Sequence, residues 1–288
     1  MIIYTDLHNR TKNYSLPESI INNLQSEFNV TITTNINYDA EIYWGDRLDD
    51  NKLLKMPKLK WIHLSKTGFG KFNLPNNVVV TNTPESSDGV AEYAVSGLLY
   101  LLRGLDRMTL DRKTFDVNLD KIKPFNEVKC LIVGHGRIGK KVNRLLTALS
   151  MEVNFVTKGN DRMSLLDISD YDFIINALPI NNKTVDYFNK DIFVKMNKNS
   201  YIINVGRGET VNENDLYNAL KNKTIRGAFL DVVKDEPINE KNNLLSLDNV
   251  FISPHIANAL YNSINTQVQA FKNNLNRYKN KLELENII

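Results

Sequence analysis

Short apolar runs along this chain alternate with stretches whose apolar residues recur at helical spacing. In Val128–Val133 only Lys129 is polar, which is the pattern of a strand buried on both faces. The segment 140–149 then predicts a helix whose apolar face consists of Val142, Leu145, Leu146 and Leu149. A strand followed by such a helix indicates a βα unit of a parallel sheet.

Residues 1–80 predict one set of such units. Pro17–Phe28 has helical spacing, with Pro17 in its first turn. The strands predicted in this part are Ile2–Thr5, Val30–Thr34, Ala40–Trp44, Trp61–Ser65 and Val78–Thr81. They form a βαβ-type domain in its own right, without a glycine motif.

The alternation begins again at residue 128. The strands predicted here are Val128–Val133, Val153–Thr157, Asp172–Ala177, Tyr201–Val205, Gly227–Val232 and Val250–Ile252. The helices are Asn189–Met196 and Asn212–Leu220, with Asn212 as the expected N-cap. The amphipathic stretch Asn258–Asn280 is predicted to return to the first domain, which makes that domain discontinuous. The predicted fold class is α/β, with two Rossmann-like doubly wound domains, parallel sheets and a cleft between them.

An apolar segment, VAEYAVSGLLYLLRGL at residues 90–105, joins the two parts. Ser86, Ser87 and Asp88 precede it as N-cap candidates, and apart from Glu92 it is apolar nearly all round. Such a helix is expected to be buried between domains or between subunits. The domains are therefore predicted as 1–98 with 258–288, and 99–257.

Composition excludes several classes of protein. The chain has 288 residues, 42% of them hydrophobic, and a formal net charge of +3, which argues against nucleic-acid and membrane-surface partners. No apolar run approaches the roughly 18 residues that span a bilayer, and the first residues lack a signal-peptide core. The single Cys130 lies in a predicted core strand, which fits a reduced cytoplasmic compartment. Four histidines without cysteine or acidic clustering predict no metal site.

Gly134, Gly136 and Gly139 follow the strand Val128–Val133 at G-x-G-x-x-G spacing. The first glycine allows a tight turn, the second lets a pyrophosphate approach the backbone, and the third lets the helix pack against its strand. The alternative is an ordinary glycine-rich turn. The strand before the motif and the helix after it favour a dinucleotide site, so 99–257 is predicted to be the dinucleotide-binding domain.

Three polar clusters follow predicted strands. Arg207 stands between two glycines, and its guanidinium can hold a carboxylate through two hydrogen bonds. Asp231 lies in apolar surroundings and needs a cofactor amide or a protein donor as its partner. Glu236 follows it, and His255 directly follows Pro254. The alternatives are a solvated arginine, an ordinary acidic loop and a structural histidine, but a histidine with a carboxylate and an arginine in the same fold is a candidate acid–base group.

The chain resembles the D-isomer-specific 2-hydroxyacid dehydrogenases, in particular the glyoxylate and hydroxypyruvate reductases among them. The resemblance covers nearly the whole chain and rests on five motifs in the family's order: TNTPESSDGVAEYAV, GHGRIG, INVGRGETVNENDL, GAFLDVVKDEP and NVFISPHIA. It implies two βαβ domains with a deep cleft, a discontinuous substrate (catalytic) domain, and a homodimer formed through the long helix near 86–103.

By this resemblance Arg207, Glu236 and His255 are the catalytic residues. Arg207 would hold a small 2-oxo or 2-hydroxy acid, together with the backbone of Thr67 and Gly68. His255 would act as the proton donor and acceptor, with Glu236 hydrogen-bonded to its other ring nitrogen. The loop with Thr67 departs from the family at residue 70, where a glycine stands in place of the family's frequent acidic residue.

The resemblance also implies a set of cofactor-binding residues, with Asp231 near the nicotinamide amide. The set is Gly134, Gly136, Arg137, Ile138, Gly139, Thr157, Lys158, Leu178, Pro179, Thr184, Val205, Asp231 and His255.

The end of the second strand of this domain favours NADP(H) over NAD(H). Members that use NAD place an acidic residue there for the ribose 2′-hydroxyl, whereas this chain has Thr157 and Lys158, and no carboxylate before Asp161. Threonine and lysine can bind a 2′-phosphate that a carboxylate would repel. The alternative is that Lys158 is a surface lysine and either cofactor is used.

The predicted function is hydride transfer between a nicotinamide cofactor and a small 2-oxo acid, mainly as a reductase. One rival is a cofactor-sensing binding protein on the same scaffold, like the family's transcriptional corepressors. A second rival is a dehydrogenase of the formate or phosphite type. Formate oxidation needs no proton donor for a carbonyl, so the expected Glu236 and His255 pair argues against it.

Overall fold

The computed structural model describes residues 1–7, 16–45, 50–65, 74, 77–83, 86–105, 123–156, 167–258 and 264–288. They form two compact units, Met1–Ser86 with Tyr261–Ile288, and Ser87–Leu260. The sequence placed the first boundary after residue 98 and the second before residue 258. Among the described residues, no helix is long and apolar enough to cross a membrane.

The first unit contains a parallel five-stranded sheet. Its strands are β1 (Ile2–Thr5), β2 (Thr31–Thr33), β3 (Ile42–Gly45), β4 (Trp61–Leu64) and β5 (Val79–Asn82). They stand in the order β2-β1-β3-β4-β5, all parallel. The helices are α1 (Glu18–Phe28) and α2 (Asp50–Leu53), and α7 (Ile264–Lys279) returns to this unit near the end of the chain.

The second unit contains a parallel six-stranded sheet. Its strands are β6 (Lys129–Val133), β7 (Glu152–Val156), β8 (Phe173–Asn176), β9 (Tyr201–Asn204), β10 (Gly227–Leu230) and β11 (Val250–Ile252). The order is β11-β10-β9-β8-β6-β7. Its helices are α3 (Ser86–Leu102), α4 (Arg137–Ala148), α5 (Lys190–Phe193) and α6 (Glu213–Lys221). Both sheets therefore confirm the predicted α/β class with parallel strands.

The long apolar helix α3 belongs to the core of the second unit. Ala94 and Leu98 on α3 share one buried cluster with Cys130 and Ile132 of β6 and with Phe229 of β10. Gly97 allows this contact, because a Cβ there would lie 2.8 Å from the ring of Phe229. This packing explains why the second unit begins at Ser87, near the start of α3, and not at residue 99.

Helix boundaries differ from the sequence pattern by a few residues. The predicted helix over 189–196 is the single turn α5, capped by Asn189, whose side chain accepts a hydrogen bond from the Asp191 N–H. Asn212 caps α6 as expected, accepting from the Asp215 N–H. Pro17 is the N-cap of α1, one position before its first turn. These shifts are ordinary, because apolar periodicity does not locate a helix end as closely as its cap does.

In the first unit a histidine is completely buried. His63 on β4 has no exposed surface, and its Nδ1 and Nε2 lie 2.8 Å and 3.2 Å from the hydroxyl oxygens of Thr81 and Thr83. Burial lowers the pKa of His63 from 6.5 to about 3. The neutral imidazole is therefore part of the core of this unit.

We expect His63 to make the protein less stable in mild acid. The unfolded chain takes up this proton near pH 6.5 but the folded chain only near pH 3, so stability falls as the pH decreases between these values. One proton corresponds to about 1.4 kcal/mol per pH unit, which gives roughly 2 kcal/mol between pH 6.5 and pH 5. Urea denaturation of the wild type and of His63→Gln at pH 7 and pH 5 measures this difference. If the free energy of unfolding fell equally in the two proteins between pH 7 and pH 5, the expectation would be contradicted.

Candidate active site

The carboxyl ends of five strands of the second sheet lie side by side. Val133 pairs with Asn176, Asn176 with Asn204, Asn204 with Leu230, and Leu230 with Ile252. The loops that follow these strands carry Gly134 after β6, Leu178 after β8, Arg207 after β9, Glu236 after β10 and His255 after β11. The strand order reverses at β6, and ligands of doubly wound folds bind at such a switch point.

The glycine loop has the shape that a dinucleotide requires. Gly134 has a φ of +113°, and a Cβ there would lie 2.7 Å from the Ala177 carbonyl oxygen. A Cβ on Gly139 would lie 2.0 Å from the Gly134 oxygen, whereas one on Gly136 would meet nothing within 4 Å. No side chain caps α4, and its first turn has no acidic residue. The loop thus fits a pyrophosphate bound at the start of α4.

The other predicted cofactor residues are distributed around this loop. Arg137 is exposed and Ile138 partly buried in the first turn of α4, and Val205 is buried after β9. After β8, the Leu178 N–H donates to the Asn176 side chain, and the Thr184 hydroxyl donates to the Pro179 carbonyl at 2.7 Å. Thr184 therefore closes the turn that begins at Pro179. The predicted residues outside the described part of the chain are Thr67, Gly68, Thr157 and Lys158.

Glu236 and His255 form a direct pair. Nδ1 of His255 lies 2.7 Å from Oε2 of Glu236. The two side chains are 30% and 29% exposed, so the pair is reachable from solvent. The carboxylate contacts Nδ1 and thereby fixes the orientation of the ring.

Asp231 holds the turn that carries His255. Its carboxylate accepts from the Ser253 hydroxyl and the Ile256 N–H, both at 2.8 Å, and from the Ala257 N–H at 3.0 Å. Its carbonyl oxygen accepts from the His255 N–H at 2.9 Å. These bonds satisfy a carboxylate that is only 2% exposed. They also hold His255 at a φ of +54°, which is unusual for a residue other than glycine.

Tyr93 of α3 extends this network. Its ring packs against Phe229. Burial raises the pKa of Tyr93, the interaction of its hydroxyl with Ser253 opposes that rise, and the negative charge of Asp231 adds to it. The phenol therefore stays neutral beside the histidine turn at neutral pH.

The backbone of Arg207 is fixed by three polar side chains. Its carbonyl oxygen accepts from the Thr210 hydroxyl at 2.6 Å and from the Asn204 amide at 3.2 Å. Asn176, in turn, donates to Thr210 at 2.6 Å and to Asn204 at 2.9 Å. The guanidinium Nη1 donates to the Gly206 carbonyl at 2.7 Å. The loop is thus held by residues at the ends of β8 and β9.

Gly208 brings the Arg207 loop against the segment that carries Glu236. A Cβ on Gly208 would lie 2.0 Å from the carbonyl carbon and oxygen of Val233 and 2.4 Å from the Lys234 nitrogen. Only a glycine permits so close an approach of two backbones. The structure therefore joins the loops of Arg207, Glu236 and His255 through described contacts at one edge of one sheet.

The sequence did not single out Asn176 or Thr210, and it marked Gly208 only as one of the two glycines beside Arg207. One signal was available, because Asn176 and Asn204 end two apolar strands at paired positions. Within the described residues, no group of three or more His, Cys, Asp or Glu side chains is placed to hold a metal ion.

Comparison with known proteins gives a consistent result. The model of the family described as D-isomer specific 2-hydroxyacid dehydrogenase, NAD binding domain, matches residues 95–257. A probable 2-ketogluconate reductase of Dictyostelium discoideum is 30% identical over 278 residues, which cover 88% of this chain and 81% of the relative. Glyoxylate/hydroxypyruvate reductase B of Klebsiella pneumoniae subsp. pneumoniae is 28% identical over 282 residues, covering 86% and 87%.

A solved structure shows the same fold. It is that of a D-isomer specific 2-hydroxyacid dehydrogenase family protein from Klebsiella pneumoniae 342. The TM-score is 0.85 at 23% sequence identity, and the match covers 100% of this chain and 97% of the other.

Proposed function

Because this chain belongs to the D-isomer-specific 2-hydroxyacid dehydrogenases, and is thus an NAD(P)-dependent oxidoreductase, we propose that it works mainly as a reductase of small 2-oxo acids. The contact between Glu236 and His255 is the observation that carries the proposal. It supplies a positioned proton donor at the edge where the glycine loop offers a cofactor site. The relatives at 30% and 28% identity are both named as reductases.

In the proposed reaction Arg207 binds the substrate carboxylate through its guanidinium and orients the keto group. His255 transfers a proton from Nε2 to the carbonyl oxygen, and Glu236 stabilises the charged imidazole through Nδ1. When bound, a nicotinamide cofactor would provide the hydride for the keto carbon. Asp231 holds the turn that aims His255, and its expected contact with the nicotinamide amide stays a prediction. The Thr67–Gly68 backbone likewise stays predicted to bind the substrate carboxylate.

A panel of 2-oxo acids, including glyoxylate and hydroxypyruvate, tests this function with NADPH and NADH. Oxidation of the reduced cofactor that depends on a keto acid is the expected result. Tight cofactor binding without turnover of any keto acid would favour the corepressor-like binding protein. Turnover of formate or phosphite alone would favour a dehydrogenase of the formate or phosphite type.

We propose further that NADP(H) is preferred over NAD(H), from the charge of the sequence at Thr157 and Lys158. We expect kcat/KM to be at least about tenfold higher with NADPH than with NADH, because a lysine at this position attracts the 2′-phosphate. Lys158→Glu should reverse the preference by repelling that phosphate. Lys198→Ala is the control, because this exposed lysine precedes β9 at the other edge of the sheet. A wild type that prefers NADH would contradict the proposal.

We propose that the protein acts as a homodimer in the cytoplasm. Val90, Leu99 and Tyr100 of α3 are only partly buried, and Phe251 of β11, whose ring lies against that of Tyr100, is exposed. A second copy that packs on α3 would cover them. Sedimentation at micromolar concentration tests this, and a monomer there would contradict it.

A further inference from the structure

The segment 234–242 presents Glu236 to His255 from the surface of the second unit. Most of its residues are exposed. An exposed ion pair gains little by itself, because two mobile side chains must be ordered to form it. The distance of 2.7 Å between Glu236 and His255 therefore depends on what fixes the backbone of this segment.

Glu213, the first residue of α6, fixes both ends of the segment. Its Oε1 accepts from the Lys234 N–H at 2.6 Å, and its Oε2 accepts from the Asn242 side-chain amide at 3.0 Å. The peptide between Val233 and Lys234 also lies directly against Gly208. One carboxylate thus ties the beginning and the end of the segment to a helix that packs in the core.

The contacts with Lys234 and Asn242 together require a carboxylate and not an amide. Oδ1 of Asn242 accepts from the Leu244 N–H at 3.0 Å, so the amide cannot be turned round without losing that bond. Its Nδ2 therefore faces Glu213 as a donor, while the Lys234 N–H is a second donor to the same side chain. A glutamine at 213 has one oxygen and could accept from only one of them.

We propose that Glu213 is a positioning residue that holds the segment 234–242 and, through it, keeps Glu236 against His255. Glu213 is assigned no contact with substrate or cofactor. The inference rests on the proposed function for its kinetic consequence. Its structural consequence can be measured separately.

Glu213→Gln is expected to lower kcat about tenfold, a fraction of what a general acid contributes, while KM for keto acid and cofactor stays within about twofold. The double variant Glu213→Gln with Asn242→Asp should restore kcat, because glutamine then donates to aspartate and still accepts from Lys234. Asp215→Asn is the matched control. This substitution removes the same charge from the first turn of α6. The carboxylate of Asp215 accepts from the Lys190 N–H, outside the segment 234–242, so kcat should not change.

A second measurement tests whether Glu213 acts through Glu236. In a Glu236→Gln background, Glu213→Gln should lower kcat by less than about twofold, since the interaction it supports is already weakened. A full tenfold loss in that background, or no loss in the wild-type background, would overturn the proposal.

Hydrogen–deuterium exchange of the peptide that covers 233–244 separates this inference from the proposed function. Faster exchange in Glu213→Gln than in the wild type, and not in Asp215→Asn, is expected whether or not any keto acid is turned over. If the wild type were inactive and showed this exchange pattern, the reductase activity would be rejected and the positioning role of Glu213 supported. If the wild type were active and its exchange were unchanged by Glu213→Gln, the positioning role would be rejected and the reductase activity would stand.

Discussion

His255→Gln is expected to lower kcat for 2-oxo acid reduction by roughly 10²- to 10⁴-fold, the contribution of a positioned general acid. Glutamine can still donate a hydrogen bond to Glu236 but cannot transfer a proton to the keto oxygen. Binding of the reduced cofactor, measured by fluorescence titration, should stay within about threefold of the wild type, since the glycine loop is unchanged.

Glu236→Gln should have a smaller effect in the same assay, because the histidine keeps its ring nitrogens and loses only its charged partner. Glu240→Gln is the control for a neutralised acid on the same exposed segment. If His255→Gln kept more than a tenth of the wild-type kcat, another group would have to supply the proton.

Gly139→Ala should damage both the fold of the second unit and its cofactor site. The added Cβ would lie 2.0 Å from the Gly134 carbonyl oxygen and 3.2 Å from Ile132, so α4 must move away from β6. A backbone clash of this kind costs about 3 kcal/mol, or roughly 6–12 °C in Tm for a domain of this size. The Kd for reduced cofactor should rise by at least about 100-fold, because α4 carries the pyrophosphate site.

Gly136→Ala separates the effect of the glycine motif on stability from its effect on cofactor binding. A Cβ at Gly136 meets nothing within 4 Å, so Tm should change by no more than about 2 °C. The methyl group would nevertheless occupy the space in which the pyrophosphate approaches the backbone, and cofactor binding should weaken. Normal cofactor binding by both variants would show that the nucleotide binds elsewhere.

The contacts of Asp231 changed the interpretation of that residue most. From the sequence it needed a partner, and a cofactor amide was one of the two candidates. The structure supplies protein donors from the turn Ser253–Ala257. The carboxylate thus positions His255, which no spacing along the chain could indicate, because the donors come from a different strand end.

The α/β class, the parallel strands and the family could all be predicted from the sequence alone. These follow from local signals, namely apolar runs of strand length, helical periodicity, and glycines at fixed spacing between a strand and a helix. The resemblance drawn from five ordered motifs is confirmed by the family model over residues 95–257. The cofactor preference rests on Thr157 and Lys158, outside the described residues, and stays a prediction.

The contacts that hold the chemical groups in place could be identified only from the folded structure. Glu213 reaches Lys234 and Asn242, Asn176 reaches Thr210, and α3 packs into the second sheet. Each of these contacts joins residues that are at least about twenty positions apart, and their geometry depends on strand order and register. A sequence pattern shows which residues can donate or accept. Which donor faces which acceptor is fixed only when the strands that carry them stand side by side.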